Sequence, residues 1–201
     1  MPDRGKLIVL SGPSGAGKST VIQRVRAARP NLRFSVSATT RQPRTGEVEG
    51  EDYYFVSELR FLEMLARGEL LENAQYVGNR YGTPRAPIEE HLNQGRDVLL
   101  DIEVQGAAQV KAAMPEAVTI FLSPPNLETL RQRLVQRGTD SPEVIEGRLQ
   151  QARVELLLAK EYDYIVINDD AAVAASEISA IITAEKCKTA DRIQLIEVQL
   201  Q

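Results

Sequence analysis

The chain of 201 residues holds one cysteine and one histidine. A lone Cys187 excludes an intrachain disulfide and any cysteine-based zinc site, and it suits a reducing compartment. A lone His91, within Ile88-Glu89-Glu90-His91-Leu92, leaves too few imidazoles for a histidine-rich metal centre or an ordinary hydrolase triad; it reads as a solvated helix residue. Apolar runs are short as well. None approaches the roughly 20 residues of a membrane span, and Met1-Pro2-Asp3-Arg4-Gly5-Lys6 leads into the first strand pattern without a signal-type apolar stretch. A cytoplasmic location with no membrane partner is therefore expected. A basic excess is missing too: 24 Lys and Arg against 28 Asp and Glu give a formal net charge of −4, no footprint for nucleic acid, and small partners as the expectation. No internal repeat or low-complexity tract interrupts the chain.

What the chain does carry is Gly12-Pro13-Ser14-Gly15-Ala16-Gly17-Lys18-Ser19, a full match to G-x-x-x-x-G-K-[ST], directly after the apolar run Leu7-Ile8-Val9-Leu10. The glycines let successive backbone N–H groups turn toward phosphate oxygens. Lys18 reaches the β/γ-phosphates, and the Ser19 hydroxyl is a ligand for Mg²⁺. Val21, Val25 and Ala28 fall on one face of the segment that follows, so the loop sits between a buried-type strand and a helix, as this chemistry requires.

Strand-like runs occur at 7–10, 34–37, 53–56, 72–77, 98–102, 118–122 and 164–167, most of them separated by helix-period segments. The first and the last three are short, continuous and rich in Val, Ile and Leu, the pattern of parallel strands buried on both faces. An α/β fold with a parallel central sheet and helices on both faces follows. The runs between Phe34 and Val77 alternate with polar residues and predict a smaller, partly antiparallel module. Gly68, Gly95 and Gly138 read as helix stops, and Ser141-Pro142 as the N-cap and first residue of a helix whose stripe is Ile145, Leu149, Ala152 and Leu156. Residues 126–150 form a helix–turn–helix excursion. Asp101 and Glu103 end a strand on one face, where the site of an open parallel sheet should lie. Residues 193–201 carry only a weak alternation that assigns no element.

Ser35-Val36-Ser37-Ala38-Thr39-Thr40-Arg41-Gln42-Pro43-Arg44-Thr45-Gly46-Glu47 places two arginines on a loop stiffened by Pro43. Their planar forks can converge on one phosphate dianion. Together with the Gly-rich loop, this segment resembles the guanylate kinase family. Gly46 through Phe55, Glu72 through Tyr76, Gly78 through Thr83, Leu100 through Gly106, Arg133 through Gly138, Arg148-Leu149 and Tyr162 through Asp170 resemble that family in the same order, over nearly the whole chain.

The resemblance implies a P-loop nucleoside monophosphate kinase-like fold, with a core at 1–36, 85–125 and 151–201, a GMP-binding module at 37–84 and a helical lid at 126–150. It implies Mg²⁺-assisted transfer of the γ-phosphoryl group of ATP to GMP or dGMP in purine nucleotide metabolism. ATP would lie on Gly12 through Thr20, with Asn168 at the adenine. Arg41, Arg44, Tyr53 and Tyr81 would hold the GMP phosphate. Glu72 would read the guanine N1–H and amino group, while Ser37 and Thr83 donate toward O6. Asp101 and Glu103 would order the Mg²⁺ hydration shell and an acceptor-site arginine, Glu103 also touching the base region. Lys18, Arg41, Arg133, Arg137 and Arg148 would neutralise charge during transfer. Two other readings stay open: a guanylate-kinase-like phosphopeptide-binding module, and a related kinase acting on a sugar phosphate.

Overall fold

The computed structural model describes residues 4–138 and 140–198. β1 (Leu7–Ser11) is buried along its whole length, and its alternating side chains divide the interior into two layers. Ile8 and Leu10 face one way, packing with Val21 and Val25 of α1 (Lys18–Ala28) and with Ala174, Ile178 and Ile182 of α7 (Ala171–Glu185). Leu7 and Val9 face the other, against Ile88 and Leu92 of α3 (Arg85–Asn93) and Ala107 and Val110 of α4 (Val104–Ala113). A strand with helices on both sides has no polar face, which is why its sequence is a continuous apolar run.

The sheet around β1 has five strands in the order β2-β7-β1-β8-β9, every pair parallel. β7 (Val98–Asp101), β8 (Val118–Ser123) and β9 (Tyr164–Ile167) are the other apolar runs. The fifth strand was not legible as such: the run at 34–37 splits into β2 (Arg33–Phe34), at the edge of this sheet, and β3 (Ser37–Thr39), in another. That second sheet runs β4-β3-β6-β5, with β4 (Tyr53–Phe55), β5 (Leu70–Tyr76) and β6 (Asn79–Pro84). β6 is antiparallel to both neighbours, while β3 and β4 are parallel. Phe61 and Met64 of α2 (Glu58–Ala66) pack on Ala38 beneath it.

The helix punctuation follows the sequence closely. Gly68, Gly95 and Gly138 each stand just beyond the C-caps of α2, α3 and α5 (Leu127–Gln136). Ser141 accepts the Val144 N–H as the cap of α6 (Pro142–Leu157). α5 and α6 close on each other through Leu130, Leu134, Ile145, Leu149 and Ala152, and α6 runs unbroken past residue 150.

Three expectations need correction. β7 stops at Asp101, and Glu103 caps α4, so these residues do not share a strand face. His91 is half-buried on α3, and its Nδ1 has no hydrogen-bond partner among the described residues. The weak alternation after Ile193 belongs to α8 (Thr189–Glu197), tied back to the start of β1 by a 2.7 Å ion pair between Lys6 and Asp191; residues 199–201 lie outside the described residues. Cys187 is exposed and unpaired. No helix among the described residues is long and apolar enough to cross a membrane.

The layer between β1, α1 and α7 is closed, and Ile178 is fully buried at its centre. Ile178→Ala is expected to cost about 2–5 kcal/mol of stability. In urea denaturation the midpoint falls with an unchanged slope.

Candidate functional site

The carboxyl ends of β1, β7, β8 and β9 face one side of the sheet, and the chain leaves β1 there as a tight loop. Gly12 makes that exit possible: with φ of 150°, its backbone passes so close to β8 that a Cβ would lie 2.1 Å from the Leu122 carbonyl oxygen. The loop ends at α1, whose first-turn N–H groups have no partner within the helix. Those residues border a cleft of about 520 Å³, lined by Pro13, Ser14, Gly15, Gly17, Lys18, Ser19 and Thr20 on the loop side and by Asp101, Arg133, Arg137, Asn168, Asp169 and Ala171 opposite.

Within the loop, the carbonyl groups are engaged by side chains. Lys18 Nζ donates to the Gly12 oxygen at 2.6 Å. The Ala16 oxygen accepts from Asn168 Nδ2 at 2.6 Å and from Arg133 Nη1 at 3.3 Å. Arg133 also donates to the Asn168 oxygen at 2.8 Å, and Arg148 Nη1 reaches Ser14 Oγ at 2.6 Å. Helices α5 and α6 are thereby joined to the loop. Asn168 is buried, and its Oδ1 is without a partner among the described residues. With three cationic side chains in its lining, a fourth, Arg148, on Ser14 at its rim, and a helix N-terminus beside it, the cleft can hold a polyphosphate.

A second cleft, about 340 Å³, opens between the two sheets. Ser37, Tyr53, Glu72, Tyr81, Asp101, Glu103 and Gly106 line it, with Ala74, Gln75, Tyr76, Ile102 and Gln105. Asp101 is a wall of both clefts. Glu72 is the buried charge of the second, only 7% exposed, and Thr83 Oγ1 donates to its Oε1 at 2.6 Å. Burial pushes the Glu72 carboxyl above its ordinary value, the Thr83 hydrogen bond opposes this, and the neighbouring Glu103 charge adds to it. Asp101 is exposed at the end of β7, and the protein packed around it raises its carboxyl against the attraction of Lys18.

Two residues that hold Glu72 were not singled out by the sequence. A Cβ on Gly106 would stand 3.0 Å from Glu72 Oε2, so the carboxylate rests where only glycine leaves room. Gln109, one turn further along α4, accepts from the Asn73 N–H and donates to the Asn73 carbonyl, both at 3.1 Å, clipping β5 to α4 beside Glu72. Gly106 stood inside a recognised motif, but its contact across the fold has no signature in sequence spacing.

Arg41 and Arg44 lie on the loop after β3. The Arg41 guanidinium stacks 5.3 Å over the Tyr53 ring and 5.9 Å over Phe55, and Tyr53 meets Tyr81 edge-on at 6.0 Å. Its carboxylate partner is Glu47, at 2.8 Å, and not Glu103. Ser37, Tyr53, Glu72, Tyr81, Asp101 and Glu103 are thus brought to one cleft, with Thr83 behind Glu72 and Arg41 behind Tyr53. Gly12 and Ala16 support the first cleft through their carbonyls.

The guanylate kinase family model matches residues 4–185. The guanylate kinase of Lactobacillus johnsonii is 54% identical over 186 residues, 92% of this chain and 91% of that protein. That of Halalkalibacterium halodurans is 50% identical over 201 residues, 98% of each. The crystal structure of guanylate kinase from Anaplasma phagocytophilum superposes with a TM-score of 0.76 at 38% identity, covering 97% of this chain and 93% of that one.

A carboxyl group whose value is raised by folding favours the native state below its unfolded value and penalises it as pH rises through the folded value. Glu72→Gln removes that penalty and keeps an oxygen for Thr83 to donate to. The variant is expected to melt at a higher temperature than the parent at neutral pH, the difference shrinking as pH falls toward 4.5, the ordinary value for this side chain. A lower melting temperature at neutral pH contradicts this account.

Proposed function

The chain belongs to the guanylate kinase family, and we infer that it transfers the γ-phosphoryl group of ATP to GMP, giving ADP and GDP. The observation that carries this reading is the meeting, at Asp101, of a P-loop cleft with a second cleft that holds one buried carboxylate. ATP is the phosphoryl donor and guanine nucleotides are the acceptors, with dGMP the expected second acceptor.

In this reading the triphosphate lies against the N–H groups of Gly15 and of Gly17 through Thr20, the Ala16 N–H being turned inward to the Pro13 carbonyl. Lys18, Arg133, Arg137 and Arg148 spread over the charge that builds on the transferred group. Asn168 keeps the loop in shape through Ala16, and its free Oδ1 fits a contact to the adenine amino group. In the second cleft, ionised Glu72 accepts from guanine N1–H and the exocyclic amino group. Adenine sets an acceptor nitrogen against that carboxylate, and a buried unpaired polar group costs about 1–3 kcal/mol, more when charged. Ser37 donates toward O6. Thr83 has one hydroxyl proton, which goes to Glu72 in the structure, so Thr83 acts on the base by orienting Glu72. Arg41, Arg44, Tyr53 and Tyr81 take the GMP phosphate.

No strong base is needed. A phosphate monoester has its second pKa near ~6, so at neutral pH much of the acceptor already carries the dianion that attacks in line. The Ser19 hydroxyl and the Asp101 carboxylate are hard oxygen groups lining the same cleft, a donor set that suits Mg²⁺ carried largely by phosphate and water, with Asp101 acting through the hydration shell. When bound, the ion supplies charge neutralisation at the phosphates. Because α5 and α6 touch the P-loop through Arg133 and Arg148, they can exclude water from the reacting groups, which otherwise would hydrolyse ATP. A phosphopeptide-binding module has no use for this intact P-loop, and a sugar-phosphate kinase has none for the Glu72–Thr83 pair.

ADP formation with Mg-ATP and a panel of GMP, dGMP, AMP, CMP, UMP and ribose bisphosphate is expected only with GMP and dGMP. Glu72→Gln narrows the ratio of GMP to AMP turnover; an unchanged ratio removes Glu72 from base recognition. Lys18→Ala is expected to lower kcat by about 100-fold or more, as loss of a preorganised charge donor does. A change confined to the KM for ATP would contradict the role given to Lys18.

A further inference from the structure

Glu47 has no part in the reading above, yet its carboxylate and backbone bind both of the arginines on the loop assigned to the phosphate. Its Oε1 accepts from Arg41 Nη2 at 2.8 Å, and its Oε2 accepts from Arg41 Nη1 at 3.0 Å and from the Arg44 backbone N–H at 2.7 Å. Its own N–H donates to the Arg44 carbonyl at 3.1 Å, closing a turn. The Arg41 and Glu47 side chains are 13% and 19% exposed, so the pair is largely shielded from water.

A guanidinium has five N–H groups arranged along two edges that can each meet a pair of oxygens. Glu47 occupies the outer edge, between Nη1 and Nη2, and the second Nη1 proton goes to the Gln42 carbonyl at 2.8 Å. What remains for a ligand is the other edge, Nε–H with the second Nη2–H, with the Tyr81 hydroxyl beside the guanidinium. The Tyr53 and Phe55 rings fix the plane of the group from its face. One carboxylate and two rings therefore leave Arg41 a single orientation and a single free fork.

We propose that Glu47 is a positioning residue for the acceptor phosphate: by holding the outer edge of Arg41 and the amide of Arg44, it presents the Nε–Nη2 edge of Arg41 to the phosphate of GMP. Glu47 remains in place while the phosphate binds, since leaving would undo the Arg44 turn as well as the ion pair. The clamp is thus partly neutralised by its own carboxylate, and recognition of the phosphate rests on the geometry of the fork more than on net charge. The proposal rests on reading this site as the GMP phosphate site.

The test compares GMP with guanosine, which has the same base and no phosphate, in the parent and in Glu47→Ala, Glu47→Gln and Glu47→Asp. Glu47→Ala is expected to raise the KM for GMP about 10- to 100-fold, the loss that follows from disordering a charge-assisted fork. The inhibition constant of guanosine and the KM for ATP should stay within about twofold, less than one ordinary hydrogen bond. The isosteric Glu47→Gln, which keeps one acceptor, should fall between, and covers the case in which the alanine variant does not fold. Glu47→Asp, one methylene short of bridging both nitrogens, should not restore the parent KM. An equal loss for guanosine and GMP overturns the proposal in favour of a general structural role. An unchanged KM overturns it too, as does a lower one, which would make Glu47 a competitor of the phosphate. A parent protein that binds guanosine but not GMP overturns the reading of the phosphate site itself.

Discussion

A backbone can turn its N–H groups toward an anion only if its carbonyl groups are satisfied elsewhere, and the rest of this molecule is arranged around that requirement. The Gly12 oxygen is taken by Lys18, and the Ala16 oxygen by Asn168 and Arg133. These partners come from α1, from the end of β9 and from α5, so three separate parts of the chain must be in register before the loop has its shape. Its close passage over Leu122 adds β8 to the set. The five-stranded parallel sheet is the frame that brings these strand ends together at one edge.

The second cleft rests on a different balance. A carboxylate that is 7% exposed is costly, and Glu72 is compensated by the hydroxyl and the backbone of a single residue, Thr83. The chain nevertheless surrounds it with devices that hold it still: the glycine at 106 that leaves space, and the Gln109 amide that fastens the neighbouring peptide. A buried carboxylate with few partners, kept rigid, favours a ligand that brings it donors, since such a ligand offsets its desolvation.

The parts of the structure that depend on local chemistry were legible from sequence. The phosphate loop, the parallel strands, the three helix stops and the Ser141-Pro142 start each follow from a few adjacent residues. The split at 34–37 was not, because a continuous strand-like run gives no sign that the chain leaves one sheet at Phe34 and joins another at Ser37. Strand β6 was hidden by composition: Asn-Arg-Tyr-Gly-Thr-Pro holds glycine and proline, tolerated here only because tertiary pairing on both sides overrides propensity. Family resemblance named Glu72, Ser37 and Tyr81, and these stand at one cleft. It named neither Glu47 nor Gly106 for a role. Glu47 pairs with Arg41 across an irregular turn with no period to read, and Gly106 meets Glu72 from a distant element.

Asp101 belongs to both clefts at once. A partition shared by two rooms cannot be moved for one tenant alone: whatever covers one side of this carboxylate strips water from it and alters the field felt on the other. Coupling of this kind is reciprocal by necessity, each occupant shifting the other's affinity by the same factor. The two clefts therefore cannot be tuned independently through this residue, and a change made for one side is felt on the other.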